Sequence, residues 1–399
     1  MESATTILIY TSILGFILGY VVNKTNFCTM GAVSDLVNIG DTSRLKAWFL
    51  AIAIAILGVT ILELVGAINV NDSRIPYRNS VLFWPRYIVG GIMFGIGMTL
   101  ASGCGNKILI RIGGGNLKSI FVLLIAGLMA LLMTRTDFYG LLFHSWMSPL
   151  SPDLAKLGIN DQSIQTIISS IFRLDSGNIF STLFVPLITI FFLFKFIFSS
   201  NKKLSADNIT SGIVVGLVVV FAWLLTGGQL GQAWIENNDF LDTPYPAVGV
   251  QSFTFINPMG EALLYTTSGL NSFFLTFGVA ALLSTIFGSF VYALISKNLR
   301  LEWFVNKHDF IRHLVGGILI GIGGVLSLGC TIGQGVTGVS TLALGSIITL
   351  ISIIFGASLM MKIEYYKAVY EDSSFSELLK NSLIDLRVLP EKIRTLEKI

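Results

Sequence analysis

Apolar runs about as long as a bilayer is thick dominate this chain, and short polar interruptions separate them. A membrane-spanning helix needs about 20 mainly apolar residues. Nine stretches approach or exceed that length: 4–22, 46–70, 82–102, 117–134, 178–199, 208–226, 270–296, 311–329 and 341–361. The fourth is the shortest, free of charge only from Ser119 to Thr134 between Lys118 and Arg135. The pattern predicts an all-α polytopic membrane protein of about nine transmembrane helices. The first run lacks a basic leader and a small-x-small cleavage site, so it reads as a retained span and not a signal peptide. A short amphipathic helix along the outer interface is expected around Gln162–Phe172.

The pattern changes sharply after Met361. From Lys362 onward, Glu, Lys and Arg spread through a helical pattern as far as Pro390. A membrane domain is therefore expected over 1–362, with a solvated, amphipathic cytoplasmic tail over 363–399.

Composition agrees with this class: 53% of residues are hydrophobic, 12% are charged, and 29 are Phe, with a mean hydropathy of +0.77. A net charge of +3 gives no footprint for nucleic acid. Gly113–Gly115 lack the G-x-x-x-x-G-K-[ST] pattern of a phosphate loop. No enzymatic, metal or cofactor motif stands out, so no cofactor is expected.

Lys and Arg concentrate in cytoplasmic loops. Here they gather after the first, third, fifth and seventh spans, at Lys24, Arg44 and Lys46, at Lys107, Arg111 and Lys118, at Lys202 and Lys203, and from Lys297 to Arg312. The N-terminus is expected outside and the C-terminus inside.

A repeat lies beneath these spans. Each of the three cysteines, Cys28, Cys104 and Cys330, comes nine residues after one glycine and thirteen after another: Gly15/Gly19, Gly91/Gly95 and Gly317/Gly321. With 40 glycines in 399 residues, only about one cysteine in a hundred would carry both by chance. Three in one register mark an internal repeat. A fourth pair, Gly212/Gly216, has Leu225 at the cysteine position, and Arg86–Gly97 aligns without a gap on Arg312–Gly323. The topology makes the halves, about 4–135 and 208–362, two inverted four-helix repeats linked by the span at 178–199. That is a usual architecture of secondary transporters, whose substrate site lies near the midplane where the repeats meet.

The G-x-x-x-G pairs read as surfaces where helix backbones approach closely. The segments at the cysteines read as broken helix, because Ser102-Gly103-Cys104-Gly105-Asn106 and Gly329-Cys330-Thr331-Ile332-Gly333-Gln334 are too rich in glycine to continue a span comfortably. Lipid cannot satisfy freed backbone groups, so such breaks belong where they are buried in protein or line a wet cavity. The half-helix after each break would point N–H groups at an anion. Lys107 lies just beyond the second break.

A path lined by thiols suits a sulphur-bearing anion, since a neutral S–H is a weak donor and sulphur a soft acceptor. Permeation needs weak multiple sites. Two other readings stay open: a soft-metal transporter, because Cys with Met suits Cu(I), and a membrane thiol oxidoreductase. Few intramembrane carboxylates, with Glu63 the clear one, weigh against the first. The odd thiol count and the absence of C-x-x-C weigh against the second.

The chain also resembles the YeeE/YedE sulphur-transport family of bacterial inner-membrane thiosulfate transporters. The resemblance covers roughly residues 10–362 and rests on Asn26–Asp35, Ser102–Lys107, Arg111–Lys118 and Ser327–Gln334, with Ser252–Pro258 also similar. It implies an hourglass fold with inserted broken-helix loops, and a narrow waist at which Cys28, Cys104 and Cys330 contact thiosulfate in turn. Gly103, Gly105, Asn106, Lys107, Gly329, Thr331 and Gln334 fall in the same signatures. The resemblance further implies a small cytoplasmic sulphurtransferase of the TusA type as partner, an inner-membrane location, and a permease with no enzymatic activity.

Overall fold

The computed structural model describes residues 2–173, 179–199 and 204–397. Among them all regular structure is helical, in the order α1 (Glu2–Thr25), α2 (Thr29–Asn38), α3 (Ser43–Leu64), α4 (Trp84–Leu100), α5 (Gly105–Gly113), α6 (Leu117–Arg135), α7 (Ser145–Met147), α8 (Ile164–Ile171), α9 (Ile179–Phe198), α10 (Ala206–Gly227), α11 (Gln229–Asp239), α12 (Ile256–Thr267), α13 (Phe277–Ile295), α14 (Lys307–Leu326), α15 (Leu344–Val369) and α16 (Phe375–Asp385). Extended pairing is confined to isolated bridges such as Ser73 with Val250.

Eight helical segments among the described residues are long and apolar enough to cross a membrane, and they contain α1, α3, α4, α6, α10, α13, α14 and α15. The chain is a multi-pass membrane protein. The expected fifth span corresponds to α9, whose apolar stretch Thr182–Phe198 is shorter than the other eight, and residue 178 lies outside the described residues. Two boundaries differ from the hydropathy pattern for local reasons. α3 stops at Leu64 because Gly66 takes a left-handed φ of 70°. α13 starts only at Phe277, where the Thr276 hydroxyl caps the Val279 N–H at 3.2 Å.

The four glycine pairs are contact surfaces, as their spacing indicates. Gly15 and Gly19 of α1 meet residues 281–289 of α13, and Gly91 and Gly95 of α4 meet residues 349–357 of α15. Likewise Gly212 and Gly216 of α10 meet residues 47–54 of α3, while Gly317 and Gly321 of α14 meet residues 122–129 of α6. Residue numbers rise together on both sides, so each helix pair runs parallel. A Cβ on Gly15, Gly91, Gly212 or Gly321 would sit 2.9, 2.9, 2.7 or 2.6 Å from a carbonyl oxygen of the partner helix. These backbones touch without intervening side chains. By contrast α4 and α14 cross antiparallel, with Gly90 against Leu326 and Ser327 and Gly97 against Gly316.

Beyond the bundle, α8 begins at the Ser163 cap. The side chain of neighbouring Gln162, 0% exposed, ties Tyr87 (3.1 Å) to the N–H of Gly345 (3.2 Å). The tail packs back on the end of α15 instead of standing free in solvent. Leu378 of α16 joins Leu359, Ile363 and Tyr366 in a small second core. Asp385 beside it accepts from Arg394 at 2.7 Å and from the Tyr366 hydroxyl at 3.1 Å. An amphipathic pattern marks one apolar face but not what will cover it.

Gly321→Ile should overpack the α14–α6 contact and lower stability by about 1–3 kcal/mol or more in thermal melts of detergent-solubilised protein. Gly140→Ala, where a Cβ meets nothing within 4 Å, should stay within about 0.5 kcal/mol of the parent.

Candidate functional site

The three cysteine units end their helices in the same way. Asn26, Ser102 and Leu328 lie two residues before the cysteines and take left-handed φ values of 52°, 55° and 62°. At the latter two the N–H groups fold back in the paired pattern of a helix C-terminus: Ser102 to Thr99 (3.1 Å) with Gly103 to Met98 (2.8 Å), and Leu328 to Val325 (3.2 Å) with Gly329 to Gly324 (2.8 Å). This satisfies carbonyls that a break would otherwise leave bare.

Each cysteine then opens a new helix. Cys28 is the N-cap of α2 and Cys104 that of α5. Cys330 precedes a helical segment over 331–340 that widens to π-helix across Gly333–Gly338. Cys28 Sγ accepts from the Gly31 N–H and Cys330 Sγ from the Gly333 N–H, both at 3.4 Å. The Cys104 thiol makes no cap bond like the other two and lies near the Cys28 thiol, the Thr331 hydroxyl and the Lys107 N–H.

The breaks converge. Cys28 and Cys104 lie side by side, Thr331 lies near Cys104, and Gly105 lies against Cys330, where a Cβ would sit 3.3 Å from Cys330 Cβ. All three thiols are free and buried, at 8%, 2% and 0% exposure. Around them, among the described residues, Asn106 Oδ1 and Gln334 Oε1 are buried without a hydrogen-bond partner, and Thr331 Oγ1 has none beyond the nearby thiol. Gln334 is aimed by its amide nitrogen, which donates to the Ser327 carbonyl at 2.6 Å. Gly103 sits under the Lys107 stem and Gly329 under Gln334, with a Cβ at either reaching those side chains at 3.4 Å.

The basic residues separate by role. Lys118 is paired with Asp309 at 2.7 Å, and Arg111 donates to the Ser102 carbonyl at 2.8 Å, bracing the second break. Lys107 reaches Asn26 Oδ1 at 3.5 Å and faces Cys28. It is the cation of these three nearest the thiols with no carboxylate partner. Glu63 forms a two-pronged pair with Arg78 at 2.7 and 2.9 Å, away from the cysteines in sequence and in partners. That is a structural carboxylate.

The fourth copy departs from the other three. Leu225 lies inside α10, and the break comes three residues later at Gly228, which caps α11. Its place beside Cys330 is taken by the segment before α12. Thr254 lies against Gly333, and Ile256 against Gly105 and Gly324. Tyr77 closes the same side, its hydroxyl donating to the Gly333 carbonyl at 2.9 Å. Spacing alone does not point to Tyr77, which sits in an irregular loop; the 252–258 stretch is visible in the sequence only through the family resemblance.

Residues 24–359 match the model of a family described as sulphur transport. The chain is 26% identical over 370 residues to the thiosulfate transporter TsuA of Spirochaeta thermophila, covering 88% of this chain and 97% of that protein. It is 23% identical over 343 residues to the thiosulfate transporter TsuA of Escherichia coli, covering 81% and 85%.

A left-handed residue with a side chain carries a penalty of about 1–2 kcal/mol that glycine escapes. Ser102→Gly should therefore leave thermal stability unchanged or higher, and Ser102→Val, β-branched at φ 55°, should lower it. Equal melting temperatures for the two variants would contradict the described break.

Proposed function

Because the chain belongs to the sulphur transport family, we propose that it is a permease for a sulphur-containing anion, thiosulfate first among them, moved inward by successive weak contacts with Cys330, Cys104 and Cys28. The observation that carries this reading is the convergence of three buried free thiols from three separate helix breaks, with Cys104 beside Cys28 and near Thr331, and Gly105 against Cys330. Helix N-termini open at each cysteine, and their N–H groups favour negative charge. Thiols meet the soft terminal sulphur, and the Thr331 hydroxyl beside them can donate to the anion, whereas the unmet Asn106 Oδ1 and Gln334 Oε1 are acceptors that can only take a donor such as a thiol S–H. Lys107 stands at the Cys28 side as the charge that draws the anion onward.

The parallel and antiparallel contacts support the two inverted repeats. Exchanging α1 with α10, α3 with α13, α4 with α14 and α6 with α15 turns each observed parallel pair into another observed parallel pair. Helices α4 and α14, equivalent in the two halves, run in opposite directions. With α9 counted as the connecting ninth span, the termini fall on opposite sides of the membrane, and the loop charges assign the N-terminus to the outside and the C-terminus to the inside of a bacterial inner membrane. The division into a membrane domain, 1–362, and a cytoplasmic tail, 363–399, follows the change in composition after Met361, although α15 itself continues to Val369. A TusA-like sulphurtransferase on the cytoplasmic side would take up the delivered sulphur.

Radiolabelled thiosulfate uptake into proteoliposomes tests the reading, with sulfate and chloride as competitors. A hydrogen bond to a charged group is worth about 1.5–3 kcal/mol, so Cys104→Ala or Cys330→Ala should cut uptake about tenfold or more with folding intact. Leu225→Ala should be mild. Near-normal flux in Cys104→Ser, which swaps soft sulphur for hard oxygen, would argue for a general anion path instead.

A further inference from the structure

Two of the largest fully buried side chains, Trp48 of α3 and Trp223 of α10, are 1% and 0% exposed, and neither indole nitrogen has a hydrogen-bond partner among the described residues. An indole N–H can only donate. Leaving one unmet in a closed interior is costly, and native proteins rarely keep such a group without a use for it. Here two are kept, on neighbouring helices.

Trp48 borders the helical segment after Cys330, and Trp223 reaches it through Tyr77; their helices α3 and α10 both pack against Gly333–Gly338. Trp48 closes on Gly335: a Cβ there would lie 2.6 Å from Trp48 Cζ2, a ring carbon one bond from the carbon that carries Nε1. Only glycine lets the indole edge come so near. Trp223 stands edge-on to Tyr77 with ring centroids 6.2 Å apart, and the hydroxyl of that tyrosine holds the Gly333 carbonyl at 2.9 Å.

An indole N–H can only donate, so these two groups await an acceptor such as an oxyanion, whereas the unmet Asn106 Oδ1 and Gln334 Oε1 nearer the thiols are acceptors and await donors. A thiosulfate-type anion has two unlike ends, a soft terminal sulphur suited to thiols and hard sulphonate oxygens that weak S–H donors match poorly. The oxygens call for stronger neutral donors, ones that attract without the trapping strength of a full positive charge. We propose that Trp48 and Trp223 are specificity-determining donors of the transport path, whose indole N–H groups take the sulphonate oxygens of the anion while its terminal sulphur is handed along the thiols. The assignment rests on the transport reading above and adds the half of the substrate that the cysteines do not read. Selection against sulfate then comes from the thiols, and selection for an oxyanion comes from the indoles.

Replacing each tryptophan by 3-benzothienylalanine tests this, since that residue keeps the ring shape and puts sulphur in place of N–H. Trp48→Phe and Trp223→Phe serve as genetically simple companions. Thiosulfate uptake into proteoliposomes would be measured against concentration, alongside thermal melting of the same preparations. The expected result is a rise of about tenfold or more in the half-saturating concentration with the melting temperature held or raised. Wild-type-like uptake by both isosteric variants would overturn the assignment alone, as would a loss of uptake that merely tracks a loss of folded protein. Absence of thiosulfate uptake by the parent protein would overturn the transport reading and this assignment with it.

Discussion

Lipid cannot hydrogen-bond a peptide group, so a helix that breaks at membrane depth has to be satisfied entirely from within the protein. The geometry around the three cysteines is a consequence of this constraint. At the second and third breaks the freed carbonyls are met by N–H groups folding back over a left-handed residue, Ser102 or Leu328. At the first and third, the freed N–H groups of the next helix are met in part by the cysteine itself, through Gly31 to Cys28 and Gly333 to Cys330. Cys104 makes no cap bond like the other two, and its thiol lies near Cys28, Thr331 and the Lys107 N–H. Cys28 and Cys330 thus combine backbone satisfaction with the substrate contact proposed for all three thiols.

Close packing brings the breaks to one place. Four helix pairs touch backbone to backbone at their glycines, and the antiparallel contact of α4 with α14 lets two breaks from opposite ends turn toward one centre. A side chain at any of these glycines would separate the helices, and with them the thiols. Charge is kept away from that centre in pairs: Glu63 with Arg78, Glu261 with Arg74, Asp309 with Lys118. What remains near the cysteines is polar but nearly uncharged, apart from Lys107. On the proposed transport reading, such an interior would hold a dianion by several modest contacts without a carboxylate to repel it or a ring of cations to trap it.

The unmet polar atoms fit the same economy. Asn106, Thr331, Gln334, Trp48 and Trp223 each leave a buried group without a full partner among the described residues, an arrangement that lowers stability unless a ligand completes it. The π-helical turn over Gly333–Gly338 adds to this, since its wide, glycine-rich wall lets Trp48, Tyr77 and Thr254 all approach closely.

Hydropathy, loop charge and glycine spacing suffice to read the membrane class, most of the span boundaries, and the three thiols as members of one device, because each is a periodic or local property of the chain. The helix breaks are legible for the same reason, glycine density being a local cost. Spacing cannot say which surfaces meet. It leaves open that α1 lies on α13 and α4 on α15, that the tail folds back on α15, or that the fourth repeat breaks at Gly228 and yields its place to Thr254 and Ile256. Tyr77, Trp48 and Trp223 belong to no motif, and Lys107, Arg111 and Lys118 look alike along the chain. They differ only once Ser102 and Asp309 stand beside two of them. Those relations join residues that can be hundreds of positions apart, and only packing of the folded bundle decides them.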